Sequence, residues 1–512
     1  MLSSTRVEKE AAAVIDDPRR RRVVLATVGL SLMTVVSAVS GLNVALPELA
    51  TATGATQTEL TWVVDAYTVV FAGLLLLAGA LGDRFGRRGV LVAGLVVFGV
   101  AAAGAFVTED PTVLIGLRAL MGLGAAGIMP TTLSVITTSF PEAERPRAIG
   151  VWVGVAGGGA VLGLFGTGLL LEYFAWNSFF ALNVALAVVA LVGVVAVVPE
   201  SREAAPGRLD VVGGVLSLVA VSGLVVGIIE SADRGWGDAV TLTALVVGVL
   251  ALAAFVAWEL RTADPLLDPR LFRERGFATG SLSISLQFFA MFGFFFAMLQ
   301  YLQFVAGYSP LEAALRLLPL PFVLIPTARR APHVAARLGF RRVGAVGLGL
   351  LAVGLFTMGR QGLDFSYGLF VAGLVVFAAG AGLAGTPATT AITEALPASK
   401  QGVASAVNDT ARELGSALGI AVLGAALTAA YRDGVATVVR GLPAPAQEAL
   451  TASVAATRSP RLAALGPRAQ EVVDGARDAF VTGVGHALTI GAVVVAVGAL
   501  VVLALAPVRA HS

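Results

Sequence analysis

The sequence predicts an all-α polytopic membrane protein with fourteen transmembrane helices. They form two six-helix bundles with two extra helices between them, and both termini are cytoplasmic. Three observations lead there. Hydrophobic residues make up 57% of the 512-residue chain and charged residues 13%, against about a quarter charged in a soluble domain. Apolar runs of about 20 residues, the length that crosses a bilayer, recur along the whole chain. Short basic segments alternate with loops that hold almost no lysine or arginine.

The first 22 residues are polar and end in Arg19-Arg20-Arg21-Arg22. The apolar stretch that follows, 23–46, is too long for a signal-peptide core and reads as the first span. The remaining spans are expected at 60–81, 89–107, 112–136, 148–170, 178–198, 210–229, 239–258, 277–304, 311–328, 343–359, 367–393, 402–429 and 479–506. With the N-terminus inside, the inner segments hold 24 lysines and arginines, whereas the first six outer loops hold only Arg234 and Arg360. This is the positive-inside pattern. The last outer loop breaks it with six arginines, but long segments obey the rule poorly.

The glycines add an internal repeat. Gly122 to Thr132 reads GLGAAGIMPTT and Gly380 to Thr390 reads GAGLAGTPATT. The G-x-G-x-x-G spacing resembles a dinucleotide fingerprint, but that motif must follow a strand and open a helix. Here it lies inside an apolar span, where small residues let helix backbones pack closely. Arg84-Phe85-Gly86 is echoed by Arg337-Leu338-Gly339, and Gly159–Gly163 by Gly415–Gly419. The common offset divides the chain into an N-terminal bundle at 23–198, a two-helix insertion at 199–260 and a C-terminal bundle at 261–507. Residues 1–22 and 508–512 are expected to be cytoplasmic tails. The outer loop 430–478 carries Pro443, Pro445, Pro460 and Pro467 and reads either as a cover for the external mouth or as a spacer. Parallel halves of this kind are a transporter architecture, with the substrate site between them near the midplane.

Several function classes drop out. There is no cysteine, which excludes disulfides and thiolate chemistry. His333, His486 and His511 show no metal-ligand spacing, and no enzyme constellation is visible. No cofactor, metal or nucleic-acid partner is expected, because the basic residues sit in short loops between spans.

Gly79-Ala80-Leu81-Gly82-Asp83-Arg84-Phe85-Gly86-Arg87-Arg88 matches the loop signature G-x-L-x-D-R-x-G-R-R of the major facilitator superfamily. Asn43-Val44-Ala45-Leu46-Pro47, Trp62, Tyr67, Arg118, Leu170-Leu171-Glu172 with Trp176, Asp264-Pro265-Leu266-Leu267-Asp268 and Arg412-Glu413-Leu414-Gly415 add to the match. Together they resemble the fourteen-helix drug:proton antiporter branch. That resemblance implies a major facilitator fold and a monomeric bacterial inner-membrane exporter of amphipathic or cationic compounds, driven by protons. It also implies cavity roles for Asn43, Trp62 and Tyr67. Three positions differ from the branch: Ala38 replaces a carboxylate, Met121 a glutamine and Leu164 a proline. Ala38 and Leu164 leave open a proton-independent facilitator or importer. A transporter-like receptor is the third reading.

Charges at membrane depth are costly and should face a cavity or a partner. Asp65 and Arg118 lie at similar depth in spans two and four. They read as a coupling or substrate-contacting pair, or as a static ion pair. Asp409, Arg412 and Glu413 share one face of span thirteen by their i,i+3 and i,i+4 spacing. Arg412 can neutralise one carboxylate and leave the other to titrate, unless the group is a structural cluster. Asp83 with Arg84, Arg87 and Arg88 reads as a conformational latch on top of a topology signal. In span nine, Gln287 and Gln300 either line the cavity or bond neighbouring helices. The topology is tested by cysteine labelling: Ala143→Cys should react only from the cytoplasm and Ala456→Cys only from outside, and opposite labelling would overturn the fourteen-span arrangement.

Overall fold

The computed structural model describes residues 14–53, 55, 57–202, 209–458 and 468–507. Among them are seventeen α-helices and no strand, and fourteen helical stretches are long and apolar enough to cross a membrane.

The first span is two helices. α1 (Pro18–Ser40) starts where the Asp17 carboxylate accepts from the Arg19 amide at 2.8 Å, with Pro18 in the first turn. The arginine run is therefore helical. Arg21 is buried there, donating to the carbonyls of Ile15 and Asp16 and pairing with Glu144 at 2.9 Å. After Gly41 the chain resumes as α2 (Leu42–Thr53). The N-terminal half continues through α3 (Gln57–Phe85), α4 (Arg87–Val107), α5 (Pro111–Ser139), α6 (Arg145–Tyr173) and α7 (Ser178–Val197).

Next come α8 (Val211–Arg234) and α9 (Ala239–Glu259). The C-terminal half holds α10 (Arg275–Gln300), α11 (Pro310–Arg316), α12 (Pro319–Leu338), α13 (Phe340–Met358), α14 (Tyr367–Glu394), α15 (Gln401–Val438), α16 (Ala444–Ala452) and α17 (Arg468–Leu505). Span nine ends in one π-helical turn at Tyr301–Val305. Span ten is broken between α11 and α12, just before Pro319.

α15 and α17 each run 38 residues, about 57 Å at 1.5 Å per residue, and so project well past the hydrocarbon. The expected outer loop 430–478 is thus helical at both ends. Its arginines and aspartates resemble a loop because these turns lie outside lipid. Between the two helices, Tyr431 donates to the Leu450 carbonyl at 2.6 Å, and Arg458 donates to the Gln303 carbonyl at the end of span nine. Ala456 packs against the core while Ser453 beside it is exposed, so Ser453 is the better labelling position.

The two glycine repeats do the same job. Added Cβ atoms at Gly124 would stand 2.7 Å from the Gly94 carbonyl oxygen of α4, and one at Gly380 would stand 2.6 Å from the Leu351 amide of α13. Each repeat therefore lets two backbones touch, as the membrane-packing reading requires. Across the seam, α6 packs on α12 and α3 on α15. α8 lies against both α3 and α15. Val221 and Val225 contact Ala72 and Leu414, and Ile228 contacts Ala417 and Ala421. α8 thus lies along the seam between the halves. α9 shows Val246, Val249 and Leu250 outward, as a lipid-facing helix should.

Gly116 supplies an internal control, since a Cβ there meets open space. Gly124→Ala should lower thermal stability in detergent by roughly 1–3 kcal/mol through overpacking, while Gly116→Ala in the same helix leaves it unchanged or raised.

Candidate functional site

The first turn of any helix has backbone N–H groups without partners in its own helix. For α15 those partners come from the other half. The Asp83 carboxylate, at the end of α3, accepts from the amides of Gly402 at 2.8 Å and Val403 at 3.1 Å. Arg87 holds the same carboxylate through Nε at 3.0 Å and Nη2 at 2.5 Å. The guanidinium also donates to the carbonyls of Ala398 and Ser399, just before α15, and to Ser201 Oγ. Asp83 and Arg87 are 3% and 1% exposed. A carboxylate at a helix N-terminus also meets the positive end of the helix dipole. Gly79 and Gly402 make this approach possible: a Cβ on Gly402 would lie 2.8 Å from the Asp83 carboxylate, and one on Gly79 would strike the Gly402 backbone.

Among these arginines, Arg87 crosses to the C-terminal half. Arg88 donates to the Val195 carbonyl at 2.7 Å within its own half. Arg84 lies over the Phe85 ring at 5.6 Å. Glu200 caps the start of α4 through the amides of Arg88 and Gly89. Lys400 Nζ donates to the Pro265 carbonyl at 3.1 Å, which ties the latch segment to the chain leaving the inserted pair.

Deeper along α15 lies the charged cluster. Arg412 Nη1 donates to Asp409 Oδ1 at 3.2 Å, and Asn408, which accepts from Thr389 at 3.0 Å, donates to the same oxygen at 3.4 Å. Asp409 Oδ2 and Arg412 Nε are buried without a partner among the described residues. The guanidinium carbon sits 4.9 Å from the Trp152 ring centre and 4.4 Å from that of Phe288. Trp152 comes from α6 of the N-terminal half and Phe288 from α10 of the C-terminal half. The Trp152 indole is fixed by a 3.0 Å hydrogen bond to Thr132. A narrow crevice lies here, lined by Trp152, Gln287, Phe288, Met291, Thr389 and Arg412 among others. It is the place where both halves and the cluster meet.

Glu413 lies within electrostatic reach of Arg412 and Asp409, and also of Tyr67 in the N-terminal half. Arg118 is held by α1 and α3. Its Nε donates to the Val63 carbonyl at 2.9 Å, its Nη1 to the Ala38 carbonyl at 3.4 Å, and its guanidinium lies 4.4 Å over the Tyr67 ring. Backbone carbonyls of α1 and α3 and an aromatic ring thus hold the guanidinium of α5. Asp65 is half-buried on α3 and Trp62 is exposed. Tyr67 is buried, donating to the Val35 carbonyl at 3.4 Å. Gln287 lines the crevice, whereas the Gln300 amide bonds back to the Phe296 carbonyl of its own helix. The Asn43 side chain lies outside the described residues. Sequence reasoning missed Trp152 and Phe288. A lone tryptophan in the glycine-rich Gly150–Gly159 stretch was the available signal.

Losing one partner of a buried charge pair costs about 3–5 kcal/mol. In Asp83→Asn protein, spin labels at the exposed positions Phe85 and Ala398 should therefore show a distance distribution shifted to longer values, read by pulsed electron resonance. An unchanged distribution would mean that the grip does not hold the halves together.

This architecture has counterparts. The solved proton:xylose symporter XylE superposes with a TM-score of 0.59 over 96% of both chains at 14% identity, a likeness of fold alone. The chain is 35% identical over 486 residues to the multidrug efflux pump LfrA of Mycolicibacterium smegmatis, covering 95% of this chain and 96% of that one. It is 35% identical over 455 residues to the methyl viologen resistance protein SmvA of Salmonella typhimurium, covering 86% and 89%. A family model described as Major Facilitator Superfamily matches residues 28–420, and with the fourteen spans, the interhalf grip at Asp83 and these relatives, the chain belongs to that superfamily of membrane transporters.

Proposed function

We propose that the protein exports amphipathic organic compounds from the bacterial cytoplasm in exchange for protons, as a monomer, by rocking the bundles 23–198 and 261–507 about the central crevice. One observation carries the coupling: α15 bears both the latch contact and the charged cluster. Gly402 and Asp409 are seven residues apart, about 10 Å along the helix axis. Whatever changes the charge balance at Asp409, Arg412 and Glu413 pulls on the same rod that Asp83 holds. LfrA and SmvA, named for multidrug efflux and methyl viologen resistance, support an organic cargo moved outward.

In the proposed cycle, the Asp83–Arg87 grip holds the cytoplasmic ends together while the cluster exchanges its proton with the outside. Arg412 has one counter-charge in Asp409, so Glu413 is the second carboxylate of that face and serves as the proton carrier. Release of the grip then opens the crevice inward for cargo. A ligand or proton can shift such an equilibrium only by its differential affinity for the two states. Asp83 therefore governs turnover rather than cargo affinity. Ala38 gives α1 no carboxylate, and its carbonyl serves Arg118 instead, so the proton site moves to α15.

Reconstituted vesicles with an imposed pH gradient test this. Each charge moved draws about 2.3 kcal/mol from 100 mV, so losing the carrier removes the drive but not the path. Glu413→Gln should abolish uphill accumulation while downhill exchange persists, with Asp409→Asn weaker and Asp65→Asn near wild type. Full pH-driven accumulation in all three variants would favour a proton-independent facilitator.

A further inference from the structure

The second half of the repeat keeps cations of the first but not their counter-charge. The register that matches Arg84-Phe85-Gly86 to Arg337-Leu338-Gly339 sets Ala336 where Asp83 stands and Arg341 where Arg88 stands. In the first half protein groups meet the guanidiniums: Arg87 has Asp83 and two carbonyls, and Arg88 has the Val195 carbonyl. In the second half Arg341 likewise donates to the Leu503 carbonyl of α17. The guanidiniums of Arg329, Arg330, Arg337 and Arg342, however, form no ion pair or hydrogen bond among the described residues. All four are exposed, as is His333. No aspartate or glutamate occurs between Glu312 and Asp364, so neither α12 nor α13 supplies the missing anion.

Positive-inside bias accounts for the sign of this segment but not for its depth or its face. The apolar part of span ten, Leu311 to Ala328, is about 27 Å of helix, close to the ~30 Å of the hydrocarbon core. α12 then continues to Leu338, so Arg329, Arg330, His333 and Arg337 occupy the turns that cross the headgroup layer, where lipid phosphates lie. Arg329, His333 and Arg337 follow one another at i,i+4 steps. Arg329 and His333 share the helix face of Phe322, which is 76% exposed, as a lipid-facing ring should be. The stripe also runs beside the seam, since a Cβ on Gly150 of α6 would lie 2.5 Å from the Ala328 carbonyl oxygen. We infer that this end of α12 binds the headgroup of an anionic phospholipid, whose phosphate supplies the counter-charge that Asp83 supplies in the first half of the repeat. A soluble anion would meet the same charges from water, but the stripe is continuous with lipid-facing Phe322, so the ligand that fits it carries acyl chains.

Native mass spectrometry of the full-length protein in detergent, titrated with dioleoyl phosphatidylglycerol or dioleoyl phosphatidylethanolamine, reads the binding. The wild-type protein should hold phosphatidylglycerol about tenfold or more tighter than the zwitterionic lipid. Replacing Arg329, Arg330 and Arg337 together by glutamine should bring that ratio close to one. Replacing Arg432, Arg440 and Arg468 by glutamine removes as many charges, at the far end of α15 and the start of α17, and should leave the ratio unchanged. Ala336→Asp restores the carboxylate of the repeat at an exposed position and should lower the preference about fivefold by itself. Millimolar inorganic phosphate should leave the lipid bound. Equal binding of the two lipids by the wild-type protein overturns the inference. So does a preference that survives in the α12 triple variant or in Ala336→Asp, a preference lost equally in the control triple variant, or displacement of the lipid by inorganic phosphate. Should the α12 triple variant not elute as a folded species, Ala336→Asp decides.

Discussion

The amides that open α15 have no carbonyls behind them, and in this conformation an aspartate from the other half of the protein takes their place. That single cap organises this end of the molecule. It brings the end of α3 against the start of α15, which requires a glycine on each helix. It buries Arg87, which then satisfies the carbonyls of Ala398 and Ser399. The interaction is strong because it is charged and dry. A contact built from a helix end needs no complementary pocket, only a correctly aimed carboxylate.

The second constraint is the absence of water in the bilayer. With lipid as solvent there is little hydrophobic drive between helices, so packing depends on close backbone approach and on polar groups finding partners. The glycine repeats supply the first. The second explains how the membrane arginines are held. Arg118 takes two backbone carbonyls and the face of Tyr67, and Arg412 takes one carboxylate and two rings. Both guanidiniums thus rest on aromatic faces, and Arg412 lines the crevice. The inserted α8 adds a further link, since its contacts fall on α3 and α15, the same two helices that the Asp83 cap joins.

Much of this was legible in the sequence. Fourteen apolar runs fixed the spans, because hydropathy is a one-dimensional property in a bilayer. Span ends were less legible: α15 and α17 continue outside lipid, where polar turns look like loop. Asp83, Asp409, Arg412 and Glu413 are visible as charges where charges are costly, and helical spacing alone places the last three on one face.

Partners were another matter. Sequence spacing reaches only neighbours on one helix, so it found Asp409 with Arg412 but not the carbonyls of Val63 and Ala38 that accept from Arg118. It could not bring Trp152 of α6 over Arg412 of α15, or show that Asp83 meets an amide 319 residues away. The sequence by itself determined the membrane class, the span count, the repeat and the chemical inventory, all of which depend on local composition. The tertiary structure alone decided which charges face one another, which donors remain unpaired and where the halves meet. Those depend on the close approach of helices far apart in the chain, and such contacts leave no periodic trace in a single sequence.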